Sequence, residues 1–131
     1  MYFDGTTLTA LLSDAEIAAA NGPAIVAVVP RYTSPLAVIE AAMEVPELGE
    51  AGVTAYLDAQ GIELRDMPPG NHLISGALAT DGKLKARLHA ACAAYYETEP
   101  FVLSDGQAVL SAGEPDAAPA VAPNEVAPQA E

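Results

Sequence analysis

The last 21 residues limit how much of this chain can fold. From Ser111 to Glu131 the sequence reads SAGEPDAAPAVAPNEVAPQAE, in which 11 residues are alanine or proline and none is aromatic. Such a segment cannot bury enough apolar surface to offset the conformational entropy that ordering costs. We therefore expect a compact domain over residues 1–110 and an extended, acidic C-terminal tail over residues 111–131.

Large apolar side chains are scarce in the rest of the chain. Hydrophobic residues make up 51% of the 131 residues, but many of them are alanines, and there are two phenylalanines and no tryptophan. A domain of roughly 110 residues buries a modest core even with an ordinary composition. We expect a thin core that a neighbouring subunit extends.

Acidic residues outnumber basic ones by 18 to 5, which gives a formal net charge of −13. Binding to phosphate backbones or anionic lipid heads normally relies on clustered lysine and arginine. We therefore expect no direct nucleic-acid binding and no membrane binding. The opening residues, MYFDGTTL, lack the pattern of a signal peptide, and no apolar run is long enough to cross a membrane. These features predict a soluble protein.

The first third of the chain predicts a helix followed by a buried strand. Ser13 and Glu16 have the spacing of a capping box, and Asn21-Gly22 is a common place for a helix to stop. The run AIVAVVP, residues 24–30, is short, apolar and rich in β-branched residues, which predicts a central strand buried on both faces. Arg31 directly follows this strand, at the edge where open α/β sheets usually bind ligands.

Two helices are predicted next. Ser34 and Pro35 form an N-cap followed by proline at the first helical position, and a second helix over residues 46–61 would end at Gly61. Helical spacing in the first of them predicts an apolar inner face and an acidic outer face. The inner face would hold Leu36, Ile39 and Met43, and the outer face Glu40 and Glu44.

Short strands and turns follow. Residues 62–66, IELRD, alternate as a strand does, residues 72–80 suit a further strand, and the Asp-Gly of residues 101–110 predicts a terminal hairpin. Residues 80–97 fit either of two structures. Asp-Gly and the alternation in KLKARLHA favour a hairpin, whereas the alanines and an apolar stripe favour a helix. Adopting the helix gives an α+β fold, with three to four helices packed on a small mixed sheet.

Few residues suggest chemistry. His89 and Cys92 share a face of the predicted helix, where Lys85 and Arg87 would lower the thiol pKa, but a lone cysteine in an alanine-rich stripe is usually a small core residue. His72 follows PPGN in a predicted loop, without a second metal ligand at suitable spacing. We expect no catalytic residue, no metal ion and no cofactor.

Surfaces and the tail are the better candidates for function. The acids Glu40, Glu44 and Glu47 recur along two predicted helical segments and form an acidic surface. In the tail, apolar residues would anchor the chain on a neighbouring subunit. These tail residues are Val121 and Val126, with Pro119 and Pro123 beside them.

Three functions fit these observations. The thin core and the tail favour a non-enzymatic subunit of a large assembly, such as a capsid decoration or head–tail joining protein of a virus particle. Its partners would be protein subunits, with homo-oligomers expected, and it would lie in the cytoplasm or within the particle. The net charge also suits an acidic mimic of DNA that inhibits a nucleic-acid-binding protein. A small ligand-binding domain or enzyme is the third possibility.

Overall fold

The computed structural model describes residues 1–109, which form a mixed structure of helices and short strands. The helices in this range are α1 Gly5–Ser13, α2 Ala15–Ala27, α3 Pro35–Glu44, α4 Gly49–Gln60, α5 Gly70–Leu78 and α6 Leu84–Tyr95. The strands are β1 Tyr32–Thr33, β2 Glu63–Leu64, β3 Val102–Ser104 and β4 Gln107–Val109. The mixed class is thus confirmed, but the prediction of three to four helices was too low. The predicted tail, residues 111–131, lies outside the described residues.

The strands form two small sheets in place of the single mixed sheet expected. In one, β1 runs parallel to β2, and in the other β3 and β4 form an antiparallel hairpin. The N-terminal segment lies beside both, because Tyr2 makes parallel bridges to Tyr32 on one side and to Pro100 on the other. Residues 1–3 therefore hold the central extended position that the sequence assigned to residues 24–30.

The prediction of a central strand at residues 24–30 was wrong. Helix α2 continues through Asn21, Gly22 and Pro23 as far as Ala27. Arg31 stabilises the end of this helix, since its guanidinium Nη1 donates to the carbonyl oxygens of residues 25, 26 and 28, each at 3.1 Å. Two apolar side chains of the run, Val26 and Val29, are exposed, so it is not buried on both faces.

The start of α2 also differs from the prediction by one residue. Asp14, not Ser13, is the N-cap, and its carboxylate accepts hydrogen bonds from the backbone N–H groups of Glu16 and Ile17. Ser13 instead donates to the carbonyl of Thr9 at 2.7 Å within α1. The carboxylate is the stronger acceptor for the first N–H groups of a helix, which decides between the neighbouring candidates.

Local sequence patterns correctly predicted the helices α3 and α4. Ser34 is the N-cap of α3, where its Oγ accepts from the Ala37 N–H at 3.3 Å, and Pro35 opens the helix. Gly61 ends α4 with a left-handed backbone, at a φ of 66°. The strand predicted at residues 62–66 is present as β2, and the terminal hairpin turns at Asp105-Gly106 with positive φ at both residues.

The second half of the chain contains a helical hairpin. Residues 72–80, predicted to be a strand, belong mainly to α5, and the ambiguous residues 80–97 form α6. The two helices pack closely where Gly76 meets Ala91, because a Cβ added to Gly76 would lie 2.8 Å from the Ala91 side chain. This packing on α6 gives α5 its helical form, a long-range effect that a period-2 pattern cannot show.

Two clusters of buried side chains form the core of residues 1–109. The larger lies among α1 to α4 and includes Phe3 and Phe101, whose rings stack at 4.6 Å between centroids. The smaller joins Tyr2, on the N-terminal segment, to α6 and the residue that follows it, through Cys92, Ala93 and Tyr96. Within the described residues, no helix has the length and apolarity that crossing a bilayer requires.

Asn21 is the buried polar residue that fastens the terminal hairpin to α2. Its Nδ2 donates to the carbonyl of Gly106 at 2.9 Å, and its Oδ1 accepts from the N–H of Ala108 at 2.8 Å. The residue is 1% exposed. One amide side chain thus satisfies a backbone donor and a backbone acceptor of the hairpin.

Replacing Asn21 with alanine should destabilise the domain by about 2 kcal/mol, because two backbone groups of the hairpin lose their partners. Urea unfolding of the full chain measures this. The matched control is Asn71→Ala, since Asn71 is exposed on α5 and should change stability by less than about 0.5 kcal/mol. Equal midpoints for the two variants would contradict the fastening role of Asn21.

Candidate functional site

A continuous chain of polar side chains runs through the interior of the domain. The Tyr2 hydroxyl lies 2.7 Å from the Ser34 Oγ and 2.6 Å from the His89 Nδ1. On the other side of the imidazole, the His89 Nε2 lies 2.6 Å from the Glu40 Oε1. We call these four residues the polar chain. It connects the N-terminal segment, α3 and α6.

The direction of the hydrogen bonds follows from the two ends of the polar chain. An ionised Glu40 only accepts, so the His89 Nε2 donates to it, and in a neutral imidazole the Nδ1 then accepts from the Tyr2 hydroxyl. Ser34 accepts from the N–H of Ala37 and donates to Tyr2. Every member therefore has a partner, as buried polar groups require.

Glu40 is the member of the polar chain that reaches solvent. Its side chain is 16% exposed, and its Oε2 lies 3.7 Å from the Lys85 Nζ. The carboxylate packs over the first residue of α1, Gly5, whose missing side chain leaves the space that Glu40 occupies. The prediction that Glu40 points outward with Glu44 was therefore wrong, because His89 and Gly5 together provide a polar, open position for it.

The rotation of α3 that buries Glu40 also exposes its large apolar residues. The buried residues of α3 are Ala37, Val38 and Ala41, whereas Ile39 is 56% exposed and Met43 is 73% exposed. The inner face predicted from Ile39 and Met43 was wrong. Helical spacing identified the stripe correctly but not the direction in which it faces.

Cys92 lies behind the polar chain and does not pair with His89. Both ring nitrogens of His89 are occupied by Tyr2 and Glu40, and Cys92 is fully buried. Burial raises the pKa of the Cys92 thiol and also raises the pKa of the Tyr2 hydroxyl. The expected cations do not counter this, since Lys85 faces Glu40 and Arg87 donates to the carbonyl of Gly82.

A cleft of about 630 Å³ opens beside the polar chain, between α1, α3 and α6. Its walls carry Gly5, Thr6, Thr9, Ala10, Glu40, Met43, Glu44 and Lys85. Glu40 is the member of the polar chain that lines the cleft, while His89 and Tyr2 lie behind it. The polar chain can therefore fix the position of the Glu40 carboxylate at the wall of the cleft. The His89 imidazole and the Tyr2 hydroxyl are not presented to a molecule in the cleft.

The other residues singled out from the sequence lie apart from one another. Arg31 caps α2, and His72 is exposed on α5, with its ring 5.2 Å from that of Tyr95. No group of three metal-binding side chains occurs among residues 1–109. Glu44 and Glu47 are exposed, and the tail residues Pro119, Val121, Pro123 and Val126 lie outside the described part of the chain.

Two exposed apolar surfaces complete the description. The first, the α3–α4 groove, has a volume of about 390 Å³ and is lined by Pro35, Val38, Ile39, Ala42, Met43, Glu50, Thr54 and Leu64. The second, the hairpin surface, consists of Ile74 and Leu78 on α5, Leu84 at the start of α6, and Lys83 before it. Its three apolar side chains are between 61% and 75% exposed.

Comparison of this sequence and structure with protein-family models, curated proteins and solved structures finds no match. Sequence reasoning had named Ser34, Glu40 and His89 for separate reasons, but it had missed Tyr2 and the association of all four, because residues separated by up to 87 positions meet in the polar chain. It had also missed both apolar surfaces. The exposed positions of Ile39 and Leu78 depend on which helix faces pack, which the spacing alone does not reveal.

Replacing Gly5 with alanine should break the polar chain, because the new Cβ would overlap the Glu40 carboxylate. We expect a loss of about 1 to 3 kcal/mol in the free energy of unfolding, together with a change in the NMR signals of the His89 ring. Gly22→Ala is the control, since the space around Gly22 is open and it lies inside α2. An unperturbed His89 ring in Gly5→Ala would refute the packing described.

Alkaline pH should destabilise the domain, since the folded state retains protons that the unfolded chain releases. The raised pKa of Cys92 makes stability fall from about pH 8.5, and that of Tyr2 from about pH 10, each by up to about 1.4 kcal/mol per pH unit. Unfolding in urea at a series of pH values measures the slope. In Cys92→Ala the curve should be flatter between about pH 8.5 and 10, and identical slopes would contradict the assignment.

Proposed function

We propose that this protein is a non-enzymatic subunit of a larger protein assembly, whose C-terminal tail docks on neighbouring subunits. The observation that carries the proposal is the outward position of large apolar side chains on helices that are otherwise well packed. In α3 the small residues Ala37 and Ala41 face the core, while Ile39 and Met43 face solvent beside a groove. Contiguous exposed apolar surface of this kind is typical of proteins that bind other proteins.

The hairpin surface supports the same proposal. No residue of α5 is fully buried, although the helix contains the large apolar residues Leu73, Ile74 and Leu78. Helical geometry places Ile74 and Leu78 on the side opposite Gly76, which faces α6. One side of α5 packs on α6, and the apolar side chains on its other side are exposed. A second protein that covers the exposed side would bury them.

The tail has the reach and composition of a docking segment. Fully extended, residues 111–131 would span about 70 Å, which is more than the diameter of a domain this size. They contain four acids and no base, with Val121 and Val126 as the largest apolar side chains. Short valine anchors separated by prolines suit an arm that lies along a neighbouring subunit, because proline reduces the entropy that binding costs.

Accessory proteins of virus particles, such as capsid decoration or head–tail joining subunits, are the class of assembly that we favour. Three features of the sequence support this class. The sequence is rich in alanine, its single cysteine cannot form a disulfide within the chain, and residues 111–131 have the composition of an extended arm. The polar chain fits the same function, since it fixes the relative positions of three segments and leaves one carboxylate at a wall.

Polar substitutions of the tail anchors should reduce the mass of the protein in solution. In Val121→Ser with Val126→Ser, we expect light scattering to show a smaller average mass than for the unchanged chain, because the anchors no longer bury apolar surface. Ala122→Ser with Ala127→Ser is the matched control, with the same number of hydroxyls at adjacent positions, and should leave the mass unchanged.

A single-chain mass for the unchanged protein at all concentrations would contradict self-assembly. Binding should then be measured against basic nucleic-acid-binding enzymes, which an acidic mimic of DNA would inhibit. Inhibition by the unchanged chain, lost when Glu44 and Glu47 are both replaced with glutamine, would replace the assembly proposal with the mimic.

A further inference from the structure

The two apolar surfaces differ in shape. The α3–α4 groove is concave, and its floor and walls are aliphatic apart from Glu50 and Thr54. The hairpin surface carries side chains that project from the protein, with Leu78 at 75% and Leu84 at 70% exposure, at the two helix ends joined by residues 79–83. Projecting leucines on one surface and an aliphatic groove on the other are complementary in shape and polarity.

The two surfaces also differ in charge. From residue 32 to residue 64 the chain contains six acids and no base, and three of these acids, Glu44, Glu47 and Glu50, are exposed at the end of α3 and the start of α4. Residues 70–95 contain one acid, Asp81, against Lys83, Lys85 and Arg87, which gives +2 in a chain of −13. Opposite charges at two surfaces of one molecule favour pairing between copies.

Lys83 is the cation best placed for such pairing. Lys85 already faces Glu40 within the chain, and the Arg87 guanidinium donates to the carbonyl oxygens of Gly82 and Ala77. Lys83 is exposed at the N-cap of α6, next to Leu84. An apolar anchor with an adjacent lysine matches an apolar groove that Glu50 lines.

We infer that the hairpin surface of one copy docks in the α3–α4 groove of a second copy. Leu78 and Leu84 enter the groove against Ile39, Met43 and Leu64, and Lys83 faces the acids at the start of α4. The acidic tail is a poorer occupant of this groove, because its carboxylates would meet Glu50 in the wall and the acids of the segment that joins α3 to α4.

This contact is heterologous, since each copy uses a different surface from its partner. After the first contact, one copy therefore keeps its groove free and the other keeps its hairpin surface free, and repeated contacts generate a ring or an open filament. The inference rests on the proposed function as an assembly subunit, and it identifies the surfaces through which the domain itself contributes to assembly.

Complementary variants test the inference in the full chain. The hairpin variant is Leu78→Gln with Leu84→Gln, and the groove variant is Ile39→Gln with Met43→Gln. Glutamine forms helices well and adds no charge, so both variants should fold, as circular dichroism will check. Each variant alone should associate at least tenfold more weakly than the unchanged chain. An equimolar mixture should form dimers, because one intact hairpin surface meets one intact groove.

The matched control is Val26→Gln with Val102→Gln, which changes two exposed apolar residues outside both surfaces and should associate as the unchanged chain does. If either the hairpin variant or the groove variant alone associates normally, the inference is overturned. If a surface variant associates normally but the tail variant has a smaller mass than the unchanged chain, the assembly proposal stands and only this inference fails. If the unchanged chain has a single-chain mass, both proposals fail.

Zero-length crosslinking provides an independent test of the register. The chain has two lysines, Lys83 and Lys85, so a carbodiimide that joins amines to carboxylates gives few products besides those of the N-terminus. Lys85 to Glu40, at 3.7 Å, is the internal reference. In a mixture of ¹⁴N and ¹⁵N chains, Lys83 should link to Glu44, Glu47 or Glu50 of the other chain. Links from Lys83 only to its own chain or to tail acids would overturn the inference.

Discussion

The position of Tyr2 is the constraint on which the rest of the described structure depends. Its backbone donates to Glu99 at 2.7 Å and accepts from Phe101 at 2.8 Å, while its hydroxyl bonds to Ser34 and His89. A buried hydroxyl is stable only when partners are present on both sides, so Tyr2 fixes where α3 and α6 lie relative to the N-terminal segment. Residues from the beginning, middle and end of the domain are thereby held together by one residue.

The orientation of α3 follows from this arrangement and links the interior to the surface. The His89 Nε2 bonds to Glu40, so Glu40 faces inward, and Ile39, about 100° away around the helix, is 56% exposed. One orientation of α3 thus places a polar side chain towards the interior and apolar side chains beside a groove on the surface.

Helix caps and turns could be predicted from the sequence, whereas contacts between distant residues could not. Ser34-Pro35, Gly61 and Asp105-Gly106 were predicted correctly, because a cap or a tight turn depends on residues within four positions. The strands predicted at residues 24–30 and 72–80 were wrong because contacts between distant residues hold both segments as helices. Asn21 of α2 bonds to Gly106 and Ala108, and Gly76 of α5 packs against Ala91. For the same reason, the inward turn of Glu40 could not be predicted from the sequence.

The attachment of the terminal hairpin has a mechanical consequence. The chain leaves the described domain at β4, whose residue Ala108 is bonded to Asn21 and whose partner strand leads back to Phe101 and Tyr2. A pulling force applied beyond Val109 therefore enters through this hairpin and is shared between α2 and the N-terminal segment. The residues just before the tail are therefore attached to two separate parts of the domain, α2 and the N-terminal segment.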